Sequence, residues 1–267
     1  MLLLIATFGA ACGMANRNFT TGSGASSEPF EGEIQYKEII GFETEFRYFI
    51  KGARTRTETK HLKGDARFAL PEDFIALMDY STGTMATLYP KTKTYTSENL
   101  VERLEKMAEA VEKYHQNNPQ TATQDDIPKI ISSGKTETIA GVECQHWAFS
   151  NGWDYCYAKG LENAEQRSGP YEEKIKKMMQ SDKYKSLMQR DSDMSKRNVD
   201  VNPEYAKLIE GGAFALKITK IENGQTKLIR QVTSIVRKSL DDSLFTAPAD
   251  YKLTEEPDIL GMPGTRR

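Results

Sequence analysis

The chain has 267 residues, enough for one large domain or two small ones. Charged residues make up 28%, hydrophobic ones 38%, and the formal net charge is -2. That near-balance removes the electrostatic case for nucleic acid, which asks for a basic face, and the composition is that of an ordinary globular protein.

In chain order, the first feature is the apolar run Leu2–Ala11. It is too short to span a bilayer, which takes about 20 residues, and has the length of a signal-peptide core, about 7–15 residues. Residues 1–11 are therefore expected to be a signal peptide. Small residues Gly9, Ala10 and Ala11 lead into Cys12, as in a bacterial lipobox, which makes Cys12 the expected lipidation site. Gly9 stands where lipoboxes usually carry Leu, and no Lys or Arg precedes the apolar run. The competing reading is a plain secretory signal with an incidental cysteine. Gly13, not Asp, follows the cysteine, which resembles outer-membrane sorting. The expected location is the bacterial cell envelope, anchored in the outer membrane and facing the periplasm. Residues 12–29, rich in Gly, Ser, Thr and Asn, read as a flexible tether with a reach of about 20–25 Å.

From Phe30 the pattern is mostly β. FEGEIQYKEII and ETEFRYFIKG alternate, the second placing Phe46, Tyr48 and Ile50 on one face. RTRTETKH sets its threonines against Arg54, Arg56, Glu58 and Lys60. Strands are expected at Phe74–Tyr80, Thr84–Tyr89 and Lys93–Thr96, with turns at Ser81-Thr82-Gly83 and Pro90-Lys91-Thr92. An amphipathic helix is expected over Glu98–Gln116, capped by Ser97, with Leu100, Leu104, Met107, Val111 and Tyr114 on one stripe. A second is expected over Pro170–Gln189, with Ile175, Met178 and Met179 on its apolar side. Residues after Lys196 read as irregular up to Ala213. AFALKITKIEN and TKLIRQVTSIVRKS flank Asn223-Gly224, a strong hairpin signal. One domain, residues 30–254, is expected, with a helical insertion at about 161–211 and a tail at 255–267.

Cys144 and Cys156 flank a hairpin. In an oxidising compartment they have only each other to pair with, so a disulfide is expected; two buried free thiols are the alternative. A two-residue turn at Asn151-Gly152 would set Cys156 opposite Trp147. The bridge instead calls for pairing centred on Ser150, with Trp147 opposite Trp153, and so for an odd-numbered or bulged loop. One nearby His146 does not complete a zinc set, so no metal and no cofactor are expected. No histidine lies in a recognisable catalytic motif, and no enzyme is expected.

The strings DYSTGTMATLYPKTKTYT, ETIAGVECQHWAF, WDYCYAKGL and QVTSIVRKSLDDSLFTAPADYKL resemble bacterial extracytoplasmic lipoproteins of a domain-of-unknown-function family. Those proteins are related in fold to the outer-membrane lipoprotein carrier and receptor. The resemblance implies an α+β, mainly β fold: one strongly curved antiparallel sheet, an incomplete barrel, with helices packed on its concave side. It implies space for acyl chains between sheet and helices. A lipid or other apolar ligand is then expected against Phe46, Tyr48, Ile50, Met107, Met178 and Met179. The same methionines serve equally as helix-on-sheet core. The alternative function is a structural or interaction protein with a filled core and an envelope protein partner.

Overall fold

The computed structural model describes residues 30–39, 42–64, 73–103, 105–106, 128–158, 161, 202–210 and 213–254. They form the strands β1 (Gly32–Ile39), β2 (Phe42–Lys51), β3 (Arg54–Gly64), β4 (Ile75–Asp79), β5 (Thr84–Tyr89), β6 (Thr94–Asn99), β7 (Ile130–Ile139), β8 (Val142–Phe149), β9 (Trp153–Ala158), β10 (Ala215–Glu222), β11 (Gln225–Arg237) and β12 (Lys252–Leu253). A helix α1 (Pro203–Glu210) precedes β10, and a 3-10 turn (Asp242–Phe245) follows β11. All twelve strands join one sheet in the order β12-β6-β5-β4-β3-β2-β1-β11-β10-β9-β8-β7. Neighbours run antiparallel except β12 and β6, which are parallel.

Turn chemistry explains the meander. Asn223 and Gly224 both take positive φ, 53° and 74°, the backbone of a two-residue hairpin matched to strand twist. Ala140 and Gly141 do the same between β7 and β8, with φ 50° and 79°. Gly32 has φ 154°, and a Cβ there would lie 2.1 Å from the Val236 carbonyl oxygen. Only glycine lets β11 approach the start of β1 so closely.

The expected incomplete barrel with helices layered on its concave side does not form. The sheet is open, its edges being β7 and β12, and the helical elements among the described residues are short. Backbone pairing claims residues that side-chain periodicity assigned to helix. Ser97 and Glu98, expected as helix cap and first turn, pair with Ala86 and Met85 in β6. The chain turns helical only at Leu100, where the Asn99 side chain accepts the Val101 N–H and serves as the cap. Segment 170–189 lies outside the described residues.

Cross-strand register sorts side chains onto two faces, because directly opposed residues share a face and successive residues alternate. Glu38, Arg230, Ile218, Tyr155 and Trp147 oppose one another in turn across β1, β11, β10, β9 and β8. Tyr36, two residues from Glu38 and opposite Phe46 and Val232, lies on the same face. So do Ile34, Tyr48 and Ile50. The next row, Lys37, Gln231, Lys217, Cys156 and His146, lies on the other face. The first face is therefore the apolar one. The second carries ion pairs, but beside the register shift at Ala215/Lys217 the buried cluster of Tyr36 and Phe46 takes in Leu216, Cys156 and Cys144. The threonines of β3 follow the expected alternation, with Thr55 and Thr59 buried.

Candidate functional site

The apolar face has a dense part at β1 and β2. Phe46, Tyr48 and Ile50 are 8%, 7% and 4% exposed and share one buried cluster with Ile34, Tyr36 and Val232. Tyr36 stacks on Phe46 with ring centroids 4.8 Å apart, and Phe214 meets Tyr36 edge-on at 6.5 Å. Burying side chains of this size is worth about 1.5–3 kcal/mol each, so this cluster is a main source of stability. One ion pair interrupts it: the Arg230 Nε donates to Glu38 Oε1 at 2.7 Å, and its guanidinium lies over the Tyr36 ring at 5.0 Å.

At β8 and β9 the same face becomes aromatic. Trp147, Phe149, Tyr155 and Tyr157 gather around Tyr205 of α1. Tyr205 sits 5.2 Å from Trp147, 5.6 Å from Phe149 and 6.2 Å from Tyr157, measured between ring centroids. Burial pushes the Tyr155 phenol up to about 12 and raises Tyr205 as well, so both stay protonated. The helix that delivers Tyr205 lies within the expected helical insertion at about 161–211, in a stretch that otherwise read as irregular after Lys196. Its signal is present in Asn202-Pro203-Glu204: proline suits the first helical position, and the Asn202 side chain accepts the N–H groups of Glu204 and Tyr205.

A disulfide joins Cys144 to Cys156, with Cα atoms 5.3 Å apart and both residues fully buried in the cluster that holds Tyr36 and Phe46. The bond is the expected one; its register is not. Cys144 opposes Ala158, Cys156 opposes His146, and Trp147 opposes Tyr155 rather than Trp153. Pairing is thus centred on Asn151, with a three-residue loop at 150–152, and the bridge runs diagonally. The right-handed twist of paired strands brings one diagonal closer than the other, which makes this link possible. The loop is odd-numbered, as the bridge demanded.

Beside the bridge lies a polar cluster. His146 Nδ1 is 2.9 Å from Asp154 Oδ2, and its Nε2 is 3.1 Å from Glu137 Oε2. The Lys217 ammonium donates to both Glu137 oxygens at 2.9 and 3.0 Å. That hydrogen bond, foremost, holds the Glu137 carboxyl below its ordinary range. Donor atoms of Glu137, His146 and Cys156 lie within 4.8 Å of one another, a spacing a metal could use. While the disulfide stands, however, the Cys156 sulfur has no thiolate to offer, and Lys217 already neutralises the carboxylate. The cluster therefore acts as a cross-strand clamp on β7, β8, β9 and β10.

A family model described as "Domain of unknown function (DUF4412)" matches residues 30–251. The chain belongs to the DUF4412 family. No curated protein matches it. Within the DUF4412 domain, the expected ligand residues divide. Phe46, Tyr48 and Ile50 come together on the apolar face, whereas Met107, Met178 and Met179, like Cys12, lie outside the described residues. Trp147 and Tyr205, at the aromatic end of the DUF4412 face, were not expected there. Alternation placed Trp147 on a strand, but the way it meets α1 depends on tertiary structure.

Proposed function

We propose that this DUF4412 domain is a cell-envelope binding module that holds a lipid or other long apolar molecule against the apolar face of its sheet. It binds rather than catalyses. The observation that carries this reading is the aromatic part of that face. Ile218, Tyr155, Trp147 and Tyr205 gather there on β10, β9, β8 and α1, separated from the Tyr36 cluster by the Glu38–Arg230 pair of β1 and β11. A distant relation to the outer-membrane lipoprotein carrier and receptor is part of the same proposal, although the helix-lined barrel it implied does not form. The buried disulfide supports an oxidising compartment. Titrating the chain with a fluorescent fatty acid tests the reading: saturable binding, displaced by unlabelled lipid, is expected. No response at any probe concentration removes it.

One observation favours a second reading, an envelope interaction protein with a filled core. Phe46, Tyr48 and Ile50 are already packed by neighbouring side chains, and close-packed interiors leave no room for a guest. The two readings differ in whether that cluster opens to admit a ligand.

In both, Cys12 ties the domain to the membrane. Among the described residues no helix is long and apolar enough to cross a bilayer, and a lipid anchor requires none. Intact mass of the protein taken from native membranes is expected to show a chain beginning at lipid-modified Cys12. A mature chain starting elsewhere, or an unmodified Cys12, contradicts the anchor.

A further inference from the structure

The apolar face carries a donor with no acceptor. Trp147 is 1% exposed, and its indole Nε1 has no hydrogen-bond partner among the described residues. Buried indole N–H groups normally find one, and each exception calls for an explanation. The indole is a donor only, so whatever completes it must bring an oxygen or nitrogen acceptor. Around it stand the rings of Phe149, Tyr155 and Tyr205, which suit hydrocarbon. The cation in the same cross-strand row is Arg230, which is engaged with Glu38 and Tyr36. A bare carboxylate placed at Trp147 would thus be buried with one neutral N–H and no free counter-charge in its row among the described residues, which is costly. A neutral carbonyl would not incur that cost.

We infer that Trp147 is the polar anchor of the ligand face, donating its Nε1–H to the carbonyl oxygen of a neutral acyl ester or amide. The acyl chain lies over Tyr155 and Ile218. This inference rests on the apolar-ligand reading above and adds the chemical class of the ligand.

The test uses the full chain, labelled with nitrogen-15 and titrated with methyl palmitate, palmitate or hexadecane delivered from cyclodextrin. Trp147 and Trp153 are the only two indoles, so their side-chain N–H signals are resolved and assignable. Methyl palmitate is expected to move the Trp147 signal downfield and slow its exchange with solvent. Hexadecane is expected to bind without that shift. In Trp147→Phe, which keeps an aromatic ring, affinity for methyl palmitate should fall about tenfold, the factor that corresponds to 1.4 kcal/mol, while hexadecane affinity stays put. Where the variant does not fold, the wild-type signal decides alone. Equal binding of ester and hexadecane, with the indole unmoved, overturns the anchor and leaves the apolar-ligand reading intact. Tighter binding of palmitate than of its ester overturns the neutral-acyl assignment. Binding of none of the three removes the underlying reading, and the anchor with it.

Discussion

Replacing Cys144 and Cys156 together by alanine is expected to lower stability by about 3 kcal/mol, the loop-closure value for a bridge of this span. Alanine is the informative choice. Both sulfurs are fully buried, and serine would add unpaired hydroxyls to an already dry site. For a domain of this size the loss corresponds to a fall in Tm of roughly 6–12 °C. Denaturant unfolding of the oxidised wild type and of C144A/C156A gives the difference directly. The midpoint should drop and the slope should rise slightly, because the unfolded chain loses a constraint. The strand signature in circular dichroism should not change, since β8 and β9 remain paired through their backbone and through the contacts of Glu137, His146, Asp154 and Lys217. A difference below about 0.5 kcal/mol, within the scatter of surface substitutions, would show that the bridge constrains nothing the sheet does not already hold.

The second large effect is an acid limb set by Glu33. This residue is 4% exposed, on the face opposite Ile34 and Tyr36. Burial alone would raise its carboxyl. Hydrogen bonds from Lys238 at 2.7 Å, Gln35 at 2.8 Å and Arg47 at 2.9 Å override that and bring it to about 2. A carboxylate lowered on folding stabilises the native state above its unfolded value, near 4.5, and loses that contribution as pH falls toward 2. Linkage makes the full contribution about 3 kcal/mol. Lys238 and Arg47 are half-exposed, so solvent screening brings the working figure nearer about 2 kcal/mol. Glu33→Gln keeps the shape and removes the charge. It should cost about 2 kcal/mol at pH 7 and flatten the stability profile between pH 4.5 and pH 2. An acid limb that superimposes on the wild type would assign the acid sensitivity to other carboxylates.

Much of the sheet was legible because its strands alternate and its turns use the residues that turns require. Thr84–Tyr89 and the Asn223-Gly224 hairpin follow from local chemistry alone, and the pairing of Phe46, Tyr48 and Ile50 on one face follows from period two. Where local signals misled, a non-local pairing had overruled them. Ser97 and Glu98 look like a helix start, but β5 claims them as strand. Strand β7 is nearly all exposed, so it has no apolar rhythm to read, and Ala140 hides a turn that asparagine would have announced. The hairpin register failed for a subtler reason. The disulfide was assumed to need directly opposed cysteines, and twist allows a diagonal pair instead. The contact of β1 with β11 joins Gly32 to Arg237, and no local pattern encodes it. For the candidate site, the chain's alternation exposed the apolar face, while Trp147 and its unpartnered N–H emerged only when α1 brought Tyr205 against it.

Native mass spectrometry of the protein recovered from its native cells, released into a volatile buffer without added lipid, tests the ligand claim most directly. The apolar-face reading predicts a bound species of lipid mass beyond any anchor at Cys12. That species should dissociate when Ile218→Glu places a charge on the half-buried part of the face, while the fold persists by circular dichroism. A clean ligand-free mass from the same preparation, with purified lipid added back and still no complex, would contradict it and leave the filled-core interaction protein.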